Sequence, residues 1–494
     1  MLKKLLCICL AALMLVGVLA SCNPSEEPGD TTVKGQTTTG GTNDHREPLG
    51  VPNTRYDGQE LCFLTRDEKE WSTVEIFAGE LSSQSDNIST AVYERNDRIF
   101  QDYGVTVKEY KMEITSHIEK VTKENAAPTG DFQAIISNTD VSATLASQGA
   151  LWDLYSDDIE YLDVTKSWWD TNMAKGMSIN DHLYFATGDL LTADNDATFV
   201  ILFNKEIVAD VNIPDLYTLV EKNQWTMDKF YEFEQLAIQD KGGDGLDFDT
   251  DVCGFAYTQD ASKCFVVAGG VTMCTKDEDD APVYSLNIKR ASDLSDKTKL
   301  LFSKDYTVDM TAATSSGNDI VTVGQITFGG GHALFMGEVL QAVTRLRQYD
   351  VDFGILPFPM YDVAQGKYYS MMHNTASMVS IPKSVGEDDV VMVSSMIEAM
   401  AYHSADTLTE QYYEINLKTK GAKDEKSGPM IDKILENRAC DLAYYYKWGS
   451  GAFDQLASTM LPSSSLSVSS VDSRVKSRIK REIQNLLDDM DDFK

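Results

Sequence analysis

"DNISTAVYERNDRIFQDYGVTVKEY", Asp86 to Tyr110, decides how the chain folds. Its first part places Ile88, Val92 and Ile99 on one face of a helix over Asp86–Tyr103, and "VTVKEY" (Val105–Tyr110) then reads as a strand. Upstream, "ELCFLT" (Glu60–Thr65) reads as another strand. Strand, helix and strand in that order predict a parallel sheet covered on both faces. The alternation continues through a helix near Ser116–Glu124, a strand in "FQAIIS" (Phe132–Ser137) and a helix near Val141–Gln148. Sheets of this kind take ligands at the carboxyl ends of their strands.

The pattern restarts after Asp196. "TFVILFNK" (Thr198–Lys205) is almost wholly apolar, as a buried strand is. Trp225–Gln239 reads as a helix with Thr226 as N-cap and Phe230, Phe233 and Ala237 at helical spacing. His332–Pro359 reads as strand, tight turn at Gly337, amphipathic helix and strand. Val475, Ile479, Ile483, Leu486 and Met490 mark a last amphipathic helix. Its acidic end, Asp488–Asp492, opposes the helix dipole and is expected to fray. No internal repeat is present.

Ahead of this body, Lys3 and Lys4 precede an apolar run, Leu5–Leu19, with the charge and length of an export signal. The tetrad Leu19-Ala20-Ser21-Cys22 resembles a bacterial lipobox, which implies that Cys22 is acylated and begins the mature chain. Residues 1–21 are thus expected to be a signal peptide and residues 22–46 a lipidated, disordered tether. The tether is rich in Gly, Thr, Ser, Pro and charge, and buries too little apolar surface to offset chain entropy. Acyl chains on Cys22 would supply the anchor. No later stretch approaches the ~20 apolar residues of a membrane span. The formal charge of −34 argues against nucleic acid and against adsorption to anionic lipid.

Of eight cysteines, Cys62, Cys253, Cys264, Cys274 and Cys440 remain once the signal and Cys22 are set aside. They are odd in number and lack CxxC spacing, so neither a zinc site nor a full disulfide framework is indicated. A Cys264–Cys274 bridge and buried free thiols both suit an exported chain.

Several stretches, in order along the chain, resemble the family 1 extracellular solute-binding proteins, the carbohydrate-type receptors of bacterial ABC importers, in the form common in clostridia. They are "NISTAVYERN" (Asn87–Asn96), "GALWDLYSDDIEYLDVTKSWWD" (Gly149–Asp170), "VILFNKEI" (Val200–Ile207), "NQWTMDKF" (Asn223–Phe230), "GHALFMGEV" (Gly331–Val339), "DFGILPFPMYDVAQGKYYS" (Asp352–Ser370) and "YYEINLKTKGAKDEKSGPMIDKI" (Tyr412–Ile434). The resemblance implies a periplasmic-binding-protein-like α/β fold of two doubly wound lobes joined by crossing hinge strands. Lobe 1 would hold residues 47–195 and 374–421, and lobe 2 residues 196–373 and 422–494. It also implies closure around a small-molecule solute, a carbohydrate above all, with ABC permease subunits as partners. The receptor would be a monomer on the extracellular face of the cell membrane, held there by its lipid anchor and requiring no cofactor.

A sugar offers hydroxyls at its edge and C–H groups on its faces, so its receptor needs planar polar side chains and aromatic rings. Strand-end candidates are Arg66, Asn138 and Asp140 from the first series, and Gln259, Glu338 and Trp448 from the second. His373 lies near the predicted crossover with Asn374. Arg66 and Asp140 also read as plain solvated loop charges, whereas Trp448, in a Gly-rich loop after three tyrosines, suits a stacking platform. At least one of Trp168 and Trp169 is expected in the core, and Trp71 and Trp225 at helix starts.

"DKGGDGLDFDTD" (Asp240–Asp251) places Asp240, Asp244 and Asp251 at the first, fifth and twelfth positions of a window with Gly245 sixth. That spacing is a candidate for a structural calcium loop, although Gly242 supplies no third-position ligand and the twelfth residue is Asp rather than Glu. Enzyme signatures are missing: there is no HExxH, GxSxG, Walker loop or zinc pattern. "FGGGH" (Phe328–His332) lacks a nucleophile elbow and reads as a loose turn. The alternatives are a receptor for a peptide or other non-sugar solute, a surface adhesin, and a surface glycoside hydrolase whose carboxylate pair hides among 77 acidic residues.

Overall fold

Strand β1 (Glu60–Arg66) buries Leu61, Phe63 and Leu64, and runs into the polar cluster at its carboxyl end. The structure, a computed structural model, describes residues 47–67, 76–78, 86–413, 425–490 and 493. The export signal, Cys22, the tether and Trp71 lie outside the described residues.

Helix α1 (Asn87–Tyr103) begins where the carboxylate of Asp86 accepts the Ser89 N–H at 2.8 Å, and ends at Gly104 with φ 75°. Both are ordinary helix caps. Val92, Ile99 and Tyr103 are buried, while Ile88 is half-buried. Strand β2 (Thr106–Met112) pairs in parallel with β1 from Glu60 opposite Thr106 to Arg66 opposite Met112. Helix α2 (His117–Ala126) leads to β3 (Ala134–Asn138), parallel to β1 on its other side, and helix α3 (Thr139–Ser147) follows. The edge is closed from far along the chain by β11 (Ser377–Ser380), antiparallel to β3. The order is therefore β2-β1-β3-β11.

The second sheet is mixed. Its strands are β4 (Phe199–Asn204), β5 (Cys253–Tyr257), β8 (Thr307–Asp309), β9 (Ala333–Val339) and β10 (Phe353–Leu356), in the order β10-β4-β9-β5-β8. β9, β5 and β8 are parallel, and β4 runs against both neighbours. Phe199, Ile201 and Phe203 of β4 face one buried cluster and Val200 and Leu202 the other. Alternation onto two covered faces explains why "FVILFN" is a continuous apolar run. The cluster on the first face also contains Phe63 of β1, so one core runs from sheet to sheet within the compact unit Glu47–Lys494. β6 (Cys274–Lys276) and β7 (Pro282–Tyr284) form a separate hairpin.

Two local expectations are corrected, and one pair of alternatives is decided. Gly337 lies inside β9 rather than in a turn; a Cβ there would sit 3.0 Å from the ring of Phe255 and 3.3 Å from that of Phe358. The glycine is required by close packing, not by backbone reversal. The helix after Thr226, α4 (Met227–Glu234), stops short of Gln239, which pairs in a bridge with Val252. Cys62, Cys253, Cys264, Cys274 and Cys440 are all free, so Cys264 and Cys274 do not pair.

Trp168 and Trp169 are both buried, because their indole N–H groups share one acceptor. Glu398, on helix α7 (Glu387–Asp406), accepts them at 2.9 and 2.8 Å. Helices α5 (Asp260–Ala268), α6 (Ile288–Leu301), α7 (Glu387–Asp406), α8 (Trp448–Ser458) and α9 (Val468–Met490) complete the layers named here. Helix α9 extends seven residues upstream of the predicted Val475, and Asp488 and Asp489 are still helical because Met490 is anchored in the core; Asp491 and Asp492 lie outside the described residues. Among the described residues no helix is long and apolar enough to cross a membrane.

Candidate functional site

Two segments pass between the sheets and bond to each other. The Phe199 N–H donates to the Met371 carbonyl and the His373 N–H to the Ala197 carbonyl, each at 2.9 Å. Arg438, its side chain 2 % exposed, fastens the first of these segments. It donates to Thr198 Oγ1 at 3.1 Å, Asp170 at 2.8 Å, Asp194 at 2.9 Å and also to Asn195. Burial pushes the Asp194 carboxyl up, against the pull of Arg438. The arrangement is a buried, charge-assisted pin at the crossover.

In the first sheet the strand order reverses between β1 and β3, in the second between β5 and β9. The carboxyl ends of strands at such a reversal leave a crevice that open α/β sheets use for ligands. At the first, Arg66 ends β1 and Asn138 ends β3, and they touch: the guanidinium donates to Asn138 Oδ1 at 2.8 Å, to the Thr375 carbonyl at 2.9 Å and to Ser377 Oγ at 2.9 Å. Arg66 is 7 % exposed, so it ties three chain segments together rather than reaching into solvent. At the second reversal, Gln259 and Asp260 follow β5, and Glu338 lies near the end of β9. Gln259 is exposed, and its backbone N–H lies 3.4 Å from Thr311 Oγ1. Glu338 is half-buried and accepts the N–H of Val339 at 2.9 Å; burial raises its pKa.

His373 joins the two. Its Nδ1 lies 2.7 Å from Thr375 Oγ1, and its Nε2 lies 3.6 Å from Asp260 Oδ2. Asp260 also accepts from Lys263 at 2.7 Å, and Lys263 reaches Asp454 at 3.0 Å. Burial pushes Asp260 up, but His373 and Lys263 outweigh it and hold the carboxyl below its usual range. Alongside, Asp140 in the first turn of α3 accepts from Asn374 Nδ2 at 3.1 Å and from Lys447 Nζ at 2.5 Å. The Tyr444 hydroxyl accepts the Asn374 N–H at 3.2 Å and donates to Asn374 Oδ1 at 3.1 Å. A continuous polar seam thus runs from Arg66 and Asn138 through Thr375 and His373 to Asp260, with Asp140, Asn374 and Lys447 beside it.

Of the residues singled out in the sequence, Arg66, Asn138, Asp140 and His373 meet in this seam, Glu338 stands near its second end, and Gln259 adjoins it in sequence through Asp260. Trp448 does not offer an open face: it is 5 % exposed and stacked on Tyr446, ring centres 5.4 Å apart. The left-handed residues Gly449, Ser450 and Gly451 fold the chain back against α9, which carries the indole inward. Asp260, Lys263, Tyr444 and Lys447 were not singled out. Only Asp260 carried a signal, its place directly after a strand-end glutamine.

The acidic loop keeps its carboxylates for itself. Asp240 accepts the N–H groups of Gly243 and Gly245, and Asp251 those of Lys241 and Asp247. These amides lower the pKa of Asp251. Among the described residues no three His, Cys, Asp or Glu side chains converge to hold a metal ion, and Asp240 and Asp251 bond the loop's own amides.

No family model matches the chain, and no curated protein matches it. Solved structures do. The family 1 extracellular solute-binding protein from Bifidobacterium longum subsp. infantis is 13 % identical, with 87 % of this chain and 98 % of that one covered at a TM-score of 0.51. The GacH receptor of Streptomyces glaucescens, solved unliganded and with acarbose, is 12 % identical over 86 % of this chain and 98 % of that one, TM-score 0.54. A sugar transporter from Rhizobium etli in an open conformation is 11 % identical over 86 % and 99 %, TM-score 0.56. With two sheets, paired crossing segments and strand-end reversals already in place, the chain has the periplasmic-binding-protein-like fold of the family 1 solute-binding proteins.

Proposed function

We propose that the protein is a lipid-anchored extracellular receptor that captures a carbohydrate, an oligosaccharide by preference, between its two α/β bodies and delivers it to an ABC importer. The observation that carries this reading is the seam in which strand-end side chains of both sheets meet through the crossing segment at His373–Thr375. Its groups are planar amides, carboxylates, an imidazole and ammonium groups, the types that bond sugar hydroxyls. Sugar-binding proteins of the same fold give independent support. The body binds and releases its solute unchanged. Ligand contacts to both bodies favour the closed form, which docks on permease subunits as a monomer. Cys22 supplies the anchor. Calcium has no part in this reading.

Thermal denaturation of the mature chain with a panel of neutral oligosaccharides, monosaccharides and short peptides tests it. A sugar at 100-fold its dissociation constant adds ~2.7 kcal/mol of stability. Stabilisation by sugars without products is the expected result. Stabilisation by peptides alone, or the appearance of shorter sugars, would replace the reading with a peptide receptor or a hydrolase respectively.

A further inference from the structure

The first sheet has a second end. Asn138, at the seam, pairs with Ser377, whereas Ile135 pairs with Ser380, so β11 carries the chain away from the seam. Beyond it the Trp152 N–H donates to the Ile381 carbonyl at 2.8 Å and the Lys383 N–H to the Ala150 carbonyl at 3.0 Å. A cavity of about 860 Å³ opens there, walled by Trp152, Tyr155, Tyr184 and Phe493. That is within the ~300–1,000 Å³ of ordinary ligand pockets, which likewise combine aromatic walls with a few polar groups.

The polar groups of this cavity are held in place, yet several have nothing to bond. The Asp153 carboxylate accepts the N–H groups of Leu183 and Tyr155 at 2.9 and 3.0 Å and lies 2.6 Å from His182 Nδ1. It thereby orients the imidazole, whose Nε2 has no partner among the described residues. Tyr155 is 41 % exposed; among the described residues its ring stacks on no other and its hydroxyl makes no hydrogen bond. The rim turn at Asn180 and Asp181, left-handed at φ 54° and 61°, is fixed by Asp280 between β6 and β7, which accepts both backbone N–H groups at 3.1 and 3.2 Å. The carboxylates of Asp157, Asp181 and Glu387, which line the cavity, have no cation of their own among the described residues.

One cation already lodges here. Lys383 Nζ lies 4.1 Å from the centre of the Trp152 ring. Burial lowers its pKa, while Asp153 and Asp158 are near enough to raise it. An ammonium group set between an aromatic face and carboxylates is the arrangement by which proteins take organic cations. Because Lys383 is spent on Trp152, an incoming ligand meets mainly acceptors and negative charge. It must therefore bring hydrogen-bond donors and positive charge, and an apolar face for the Tyr155 ring. A neutral sugar lacks the charge and a polyamine lacks the ring face.

We propose that this cavity is a second binding site, specific for amino sugars: the pyranose ring lies on Tyr155, the rim carboxylates take its ammonium group, and a hydroxyl bonds His182 Nε2. The site stands a strand's length from the seam and does not depend on what the seam captures.

Calorimetry on the mature chain tests it with the glucosamine disaccharide bearing free amines, its N,N′-diacetyl form and spermidine. The free-amine disaccharide is expected to bind, with the diacetyl form and spermidine each at least about five-fold weaker, as loss of an exposed ion pair or of the ring contact requires. Tyr155→Ala should weaken the disaccharide about two- to five-fold, the span of a cation on an exposed ring. Asp157→Asn/Asp181→Asn should weaken it about two- to ten-fold and reduce the salt dependence of binding. Melting curves matching wild type will show that both surface variants fold. No binding of the free-amine disaccharide, equal binding of its diacetyl form, or spermidine bound as tightly would overturn the amino-sugar assignment. Unaltered binding in either variant would overturn the site, because the seam also offers carboxylates and would then be where the ligand goes.

Discussion

Replacing Arg438 by Met should cost the protein far more stability than the loss of a surface ion pair, and the cost should depend on pH. The guanidinium is enclosed and makes four hydrogen bonds, to Thr198, Asp170, Asp194 and Asn195. Met keeps most of the apolar stem and removes the charge. Asp194 is then a buried carboxylate with no cation, and one of its oxygens, Oδ1, already lacks a partner. Breaking a buried pair in this way costs about 3–5 kcal/mol. Asp170, less deeply buried, recovers some hydration and adds little. The sign with pH follows from burial, which pushes the Asp194 carboxyl up while Arg438 pulls it down. Without Arg438 the folded-state pKa rises further above the unfolded value near 3.8. The variant's folded form therefore binds the proton that the unfolded chain releases, and its stability falls as pH rises through that interval. Urea denaturation at pH 5 and pH 8 should show the larger deficit at pH 8. The double variant Arg438→Met/Asp194→Asn should recover part of it and lose the pH dependence. A deficit under about 1 kcal/mol at both pH values, or one larger at pH 5, would refute the assignment of Arg438 as the pin of the crossing segment.

Glu398 offers a second pH test. Burial raises its pKa to about 7, against the hydrogen bonds from Trp169, Asp163 and Trp168. A rise from 4.5 to about 7 is worth about 3 kcal/mol. Wild-type stability from this group is present below pH 4.5 and is lost as pH climbs to about 7. Glu398→Gln should flatten that part of the stability profile, read by urea titration with tryptophan fluorescence; an unchanged profile would count against it. Ser450 sits at φ 56°, where glycine meets no steric cost, so Ser450→Gly should stabilise by about 0.5–1 kcal/mol in a thermal melt. A lower melting temperature would show that the left-handed turn is held by the serine side chain instead.

Most of the first sheet was legible because its signals are local. Asp86 caps α1 and Gly104 ends it where the spacing of Val92 and Ile99 stops. β1, β2 and β3 follow from short apolar runs between helices. The reading of Gly337 as a turn failed because the reason for that glycine lies in the rings of Phe255 and Phe358, distant in sequence. The same holds for the site. Strand ends located Arg66, Asn138 and Asp140, but position along a strand says nothing about partners. Arg66 is absorbed by Asn138, Thr375 and Ser377, and Lys447 finds Asp140 across more than 300 residues. Trp448 illustrates the remaining difficulty: a glycine-rich loop suggested exposure, whereas consecutive left-handed residues turned the ring into the core. Arg438 was invisible, since its acceptors come from two separate stretches, Asp170 and Asp194–Thr198.

Capture of an intact sugar at the seam is tested most directly by calorimetric titration of the mature chain with neutral oligosaccharides, with solution scattering and product analysis on the same samples. Saturable binding at one site per chain, a smaller radius of gyration at saturation and unaltered sugar are predicted. Binding that leaves the radius unchanged, or sugar recovered in shorter pieces, would contradict a receptor that closes on its solute.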